Sequence, residues 1–198
     1  MIAVTLKPEP AAFRAKVFDK GQKYLEKTKP VPPVQSPFWK NHEYWQDGLD
    51  LLAEAYGHIC AYSSMYINPV TGARTVEHLK PKAHYPQEAY TWRNLRYVCL
   101  KMNARKGDFE DVLDPCSFET TVFMMSLFTG EISVHPRCPR PKRPIAQSTI
   151  DRLQLNDGAM MDERLRHLDN YKREAWSRAE FRRQSPFVYQ CAQEQGLL

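Results

Sequence analysis

The stretch from Ile59 to Gly107 constrains the fold most, because its apolar residues come in short runs broken by turns rather than in helical stripes. Pro69-Val70-Thr71-Gly72 reads as a turn, and Arg74-Thr75-Val76 after it as a short strand. Leu95-Arg96-Tyr97-Val98-Cys99-Leu100 reads as a second strand. Asn103-Ala104-Arg105-Lys106 follows and can open a helix through an Asn cap. The local order is strand, loop, strand, short helix.

Helical periodicity dominates on both sides of this stretch. From Trp39 to Tyr56 the residues Trp45, Leu49, Leu52 and Tyr56 recur at helical spacing and predict a packing helix, with Gly57 as its stop. Before it, after an opening section that holds Phe13, Val17 and Phe18, Lys29-Pro30-Val31-Pro32-Pro33 predicts an extended surface elbow, since proline fixes φ and removes a donor. Beyond Gly107, Thr121 to Phe128 and Ile132 to Val134 flank Thr129-Gly130-Glu131 and predict a β-hairpin. Thr149 can cap a short helix running through Leu153 and Leu155. Asn156-Asp157-Gly158 breaks it, and Asp157 can cap the next. Met161, Leu165, Leu168, Tyr171, Ala175 and Ala179 then keep helical spacing up to Pro186, which predicts one long C-terminal helix with a core-facing stripe.

The expected class is therefore α+β. A ββα core at about residues 58–110 is embedded in flanking helices, with an N-terminal helical part at 1–57 and a C-terminal hairpin and helical part at 111–198. At 198 residues the chain suits one well-buried domain. His135 to Pro144 stands apart as a basic, proline-rich strap, and reads either as a solvated linker or as a segment that contacts phosphates. Lys and Arg total 28 against 23 acidic residues, a net +5 that permits a polyanionic partner without demanding one. No opening signal segment and no apolar run of membrane-spanning length is seen, so the expected location is the cytoplasm, away from membranes. The five cysteines (Cys60, Cys99, Cys116, Cys138, Cys191) form no Cys-x-x-Cys pair, so neither a disulfide framework nor a structural zinc site is expected.

A phosphodiesterase built on a single metal needs a divalent ion to neutralise charge, a neutral imidazole to deprotonate water, and hard oxygen ligands. Glu77 and His78 are adjacent at a strand end, where successive side chains diverge and can flank one ion. Asn103, on the following helix, can bring an amide oxygen to that ion. Asn94 lies in the connecting loop, where such a side chain holds backbone geometry.

These residues sit in three ordered segments. Val76-Glu77-His78-Leu79-Lys80-Pro81-Lys82 is followed by Tyr90-Thr91-Trp92-Arg93-Asn94-Leu95, then by Asn103-Ala104-Arg105-Lys106-Gly107. Together they resemble the HNH endonuclease superfamily, whose core is a ββα-metal unit, and within it the small PtuB-like nucleases of the Septu defence system and their retron-associated relatives. Thr149-Ile150, Leu153, Leu155-Asn156 and Arg164 are similar to the tail of that group. The resemblance implies a metal-dependent endonuclease that hydrolyses DNA, the effector of an antiphage system working beside an ATPase. It implies His78 as general base, Glu77 and Asn103 as ligands of Mg²⁺ or Mn²⁺, and Asn94 as a brace in the catalytic set. Lys80, Lys82, Arg105 and Lys106 would face nucleic-acid phosphates. Many relatives carry two Cys-x-x-Cys pairs around zinc. The matching positions here read Cys60 with Ser63 and Cys99 with Met102, and so lack two of the four ligands. A catalytically silent subunit of the same fold, gripping nucleic acid or an ATPase, is the alternative.

Overall fold

Residues 74–78 become a strand because β-branched Thr75 and Val76 suit a pleated surface and Ala73 receives a backbone bond that closes its far edge. This strand, β1 (Arg74–His78), pairs antiparallel with β2 (Leu95–Cys99), Arg74 opposite Cys99 and His78 opposite Leu95. Leu100 N–H donates to Ala73 O, and the chain turns at once into a helix over Leu100–Lys106 that packs on both strands. Asn103 therefore lies one turn inside that helix and does not cap it, because Cys99 holds the extended capping position. Gly107, at φ +48°, ends it.

The computed structural model describes residues 1–118 and 122–198. Their contacts divide into two compact units. One, here the cleft unit, comprises Thr5–His58 and Ile67–Glu110; the other, the hairpin unit, comprises Met1–Val4, Ile59–Tyr66 and Asp111–Leu198. Residues 59–66, expected to belong with the ββα core, join the hairpin unit.

In the cleft unit α1 (Ala11–Phe13) runs through a π turn (Arg14–Phe18) into α2 (Asp19–Thr28). Gly21 of α2 lies against the ring of Tyr90, where a Cβ would come within 2.0 Å of the ring carbon; only glycine allows this approach. The elbow after α2 is surface-lying, as expected, with Val31 exposed and only Val34 buried. The single helix expected from Trp39 to Tyr56 is instead two 3₁₀ turns, Ser36–Trp39 and Tyr44–Gly48, followed by α3 (Leu49–Ala55). Asn41 in the left-handed region interrupts helical backbone between them, and Gly57 reverses the chain after α3. The core is aromatic: Phe13 meets Trp92 edge-on at 5.0 Å, and Trp45 lies 5.6 Å from both Trp39 and Tyr90. With α1, α2 and α3 placed, the helix after β2 is α4.

The hairpin unit carries β3 (Phe123–Met125) paired antiparallel with β4 (Ile132–Val134). Thr121, where the hairpin was expected to begin, lies outside the described residues. Then come α5 (Arg143–Arg152), α6 (Gly158–Lys172), α7 (Arg178–Gln184) and α8 (Pro186–Glu194). Thr149 sits inside α5 instead of capping it. Its hydroxyl donates to Ile145 O and accepts from Leu113 N–H, both at 2.7 Å, so it ties a loop to the helix. Asp157 caps α6 as expected, accepting from Met160 N–H at 2.7 Å. The single helix expected up to Pro186 is in fact two, α6 and α7, and α8 follows where the helix was expected to stop. Glu174 turns left-handed, Ser177 caps α7 by accepting from Glu180 N–H, and Pro186 opens α8 at a position where its missing N–H costs nothing.

Arg164 is buried at the centre of this unit and donates to Gly130 O (2.8 Å) and to Leu155 O, joining the hairpin turn to the end of the α5–α6 connection. Asn156 supplies both amide groups to the backbone of Ile132, at 2.8 Å each, and so completes the outer edge of β4. Among the described residues the architecture is mixed helix with two small antiparallel sheets, and no helix is long and apolar enough to cross a membrane.

Candidate active site

The last three residues of β1, Val76, Glu77 and His78, are all buried, so both faces of the strand end are covered. Alternation sends Glu77 toward α4 and His78 toward the 3₁₀ turn that carries Trp45, whose ring meets the imidazole edge-on at 4.9 Å. A cleft of about 220 Å³ opens where these faces meet, lined by Trp45, Glu77, His78, Lys82, Asn103 and Asp108 among others.

His78 donates one proton. Its Nε2 lies 2.9 Å from Ala89 O, and a carbonyl can only accept, so Nε2 carries the hydrogen and Nδ1 keeps its lone pair. Burial, and next the nearby Lys82 ammonium, lower its pKa to about 3, so the ring is neutral at ordinary pH. Glu77 is 3% exposed and forms an ion pair with Lys106 Nζ at 3.0 Å, while the same ammonium donates to His78 O at 2.7 Å. Burial raises the carboxyl to about 7 against the opposing pull of Lys106. Lys106 thus binds the Glu77 carboxylate to the backbone of the residue that bears the imidazole.

Asn94 is a brace. Its Oδ1 accepts from Lys80 N–H (2.8 Å), and its Nδ2 donates to Lys80 O (3.0 Å) and Glu88 O (3.1 Å). All four side-chain valences but one are thereby spent on the loop between the strands, and no contact of Asn94 reaches the cleft. Asn103 donates Nδ2 to Thr75 Oγ1 and Val76 O, at 3.2 and 3.3 Å, which leaves its Oδ1 as the free acceptor. Glu77, His78 and Asn103 are brought together around one cleft; Asn94 acts behind it.

The basic residues divide. Lys82 lines the cleft with its ammonium 5.5 Å above the Trp45 ring. Lys80 is exposed, beside Glu88 at 3.1 Å. Arg105 is half-buried on α4. Lys106, expected at a phosphate-facing position, is 1% exposed and committed to Glu77; helix periodicity turns it inward, one turn after Asn103 and onto the strand end. Two residues of the cleft carried no signal by themselves. Asp108 follows the helix stop at Gly107, and Trp45 reads as ordinary core, so only the folded chain shows that both line the cleft. Of the positions matching the missing staple, Cys60, Ser63 and Met102 are buried and Cys99 half-buried.

Among the described residues no three of His, Cys, Asp and Glu come together as a metal-binding group. An ion in the cleft would have the Glu77 and Asp108 carboxylates, the Asn103 amide oxygen and water to draw on. That donor set fits a hard cation such as Mg²⁺, which keeps several waters, and does not suit a thiolate-loving metal.

No family model matches the chain. A protein named Septu protein PtuB from Bacillus thuringiensis is 28% identical over 105 residues, which is 53% of this chain and 39% of that protein. The chain thus corresponds to well under half the length of the relative it matches.

Proposed function

We propose that this chain is a metal-dependent endonuclease of the HNH type, with the cleft at the end of β1 as its active site. One observation carries the reading: a neutral imidazole whose Nε2–H is fixed by Ala89 O stands beside a carboxylate and an amide oxygen around a single cleft. The order strand, strand, helix through β1, β2 and α4 supports the ββα-metal assignment.

In this reading His78 Nδ1 takes the proton from an attacking water, and the bond from Nε2 to Ala89 O holds the ring in the required tautomer. Glu77 and Asn103 would hold Mg²⁺ or Mn²⁺, which when bound supplies charge neutralisation for the scissile phosphate and the departing oxygen. Lys82, at the cleft wall, meets the phosphate directly. An anion placed there offsets the charge of Lys82 that depresses His78, and so strengthens the base when substrate arrives. The similarity to a Septu protein supports placing this activity in antiphage defence, in the cytoplasm, beside an ATPase encoded nearby.

Supercoiled plasmid incubated with Mg²⁺ or Mn²⁺ tests the proposal. Wild-type protein, alone or with that ATPase, nicks it and His78→Ala does not; equal nicking by both, or none by either, ends the nuclease reading. A second reading, a silent subunit that only grips nucleic acid or a partner, draws on the Glu77–Lys106 pair, which already neutralises the carboxylate without any metal. It expects Glu77→Ala to leave function in cells intact.

A further inference from the structure

The strap at 135–144 lies in the hairpin unit and carries four basic residues within the seven positions 137–143, with no acidic residue among them. From Ile132 to Ile150 the sequence holds Arg137, Arg140, Lys142 and Arg143 and not one Asp or Glu. In the hairpin unit it is a built structure. Cys138 is 3% exposed and anchors it in the core, and its N–H donates to His135 O at 2.8 Å. Arg143 donates Nε to Cys138 O and Nη2 to Pro136 O, and Lys142 Nζ donates to Ser117 O. Carbonyls fix these side chains without cancelling their charge. Arg137 and Arg140 are exposed and meet no carboxylate among the described residues. Prolines at 136, 139, 141 and 144 hold the backbone, so little freedom remains to be lost when a ligand docks.

The helices nearby behave differently. Arg166 pairs with Glu163, Arg173 with Asp169 and Arg183 with Glu180, each within one turn of its own helix. The α6 pairs neutralise their arginines from within the helix, whereas Arg137 and Arg140 of the strap meet no carboxylate among the described residues.

We propose that the strap is a second nucleic-acid anchor, a rigid set of guanidinium and ammonium groups that takes the phosphodiester backbone without reading sequence. Guanidinium forks match phosphate oxygens in pairs, and exposed arginines without counter-ions are the ones free to do so. The identity of the polyanion rests on the nuclease reading; the presence of a polyanion site rests on the strap itself.

The test is binding of a fluorescent 30-base-pair DNA duplex to the full chain in EDTA, so that cleavage plays no part, across a range of salt concentrations. Arg137→Glu/Arg140→Glu is expected to weaken binding at least about tenfold and to make the salt slope shallower by about 2, near one counter-ion per lost phosphate contact. Arg166→Glu/Arg173→Glu, with the same change in net charge, is expected to stay within about twofold of wild type. Arg137→Gln/Arg140→Gln, which adds no carboxylate, loses a smaller factor in the same direction. Equal losses from the strap and helix variants overturn the proposal, and so does an unchanged salt slope. Polyglutamate that competes as well as DNA also overturns it, by pointing to an acidic protein as the occupant. Plasmid nicking by the same wild-type preparation in Mg²⁺ or Mn²⁺, alone and with the ATPase, reports separately on the cleft: binding with nicking in neither case removes the nuclease reading and leaves the anchor, while nicking with strap-independent binding does the reverse.

Discussion

Lys106 in the cleft unit and Arg164 in the hairpin unit are both buried long cations, and they are neutralised in opposite ways. Lys106 in the cleft unit meets a carboxylate, Glu77, at 3.0 Å. Arg164 in the hairpin unit meets only carbonyls, with Asp157 the one carboxylate whose field supports its charge, and burial lowers its pKa to about 10. A buried charge held by carbonyls alone is a structural tie: here the guanidinium joins two separate segments of backbone, at Gly130 and Leu155. A buried charge set against a carboxylate at the wall of an open cleft stores a polar group where an ion or a phosphate can reach it. The difference marks one cation as architecture and the other as part of a site.

Lys106→Met should give the largest effect. It leaves Glu77 buried without its partner, at a cost of about 3–5 kcal/mol in urea unfolding at pH 8. The sign with pH follows from Glu77. Its folded pKa of about 7 lies above the ordinary 4.5, so between those values the folded chain holds a proton that the unfolded chain has released. Stability from this group therefore falls as pH rises through that window. Removing Lys106 lifts the folded value further, so the deficit should be small at pH 5 and still growing as pH rises past 7 to 8; a deficit independent of pH breaks the comparison. Glu77→Gln should flatten the same slope.

Arg164→Met comes next, at about 2–3 kcal/mol, because two buried carbonyls lose their donors while a poorly compensated charge is also removed. Arg164→Lys should recover little, since an ammonium keeps the charge but cannot span both carbonyls. The smallest effect is expected from Asp157→Ala, about 1 kcal/mol for the lost cap of α6. Thermal melts that rank Asp157→Ala above Arg164→Met would show that the cap, and not the arginine, holds the hairpin unit together.

The same contrast explains what could be read in advance. Both strands of the cleft unit and the hairpin were legible because alternation and turn residues are local signals, and so was the cap at Asp157. The helices were less so. A stripe from Met161 to Ala179 cannot reveal the break at Glu174 to Ser177, which is set by a left-handed residue and a serine cap, and Thr149 looks like a cap until Leu113 is found bonded to it. In the site, Glu77 and His78 stood out as a pair, and Asn94 lies where a loop brace should. The inward turn of Lys106 and the arrival of Trp45 and Asp108 at the same cleft depend on packing between elements far apart in sequence, which no local pattern encodes.

The cleft at the end of β1 is expected both to hold an ion and to cut phosphodiesters, and the rate of plasmid nicking as a function of Mn²⁺ concentration reads both. Wild type should saturate. Glu77→Gln should need at least about tenfold more Mn²⁺ to reach its plateau, a loss of the order seen when a metal site is weakened. His78→Ala should lower the plateau by at least about a hundredfold, the contribution of a general base, without moving the Mn²⁺ midpoint. If His78→Ala reaches the wild-type plateau, or Glu77→Gln leaves the Mn²⁺ midpoint where it was, the cleft is not the active site.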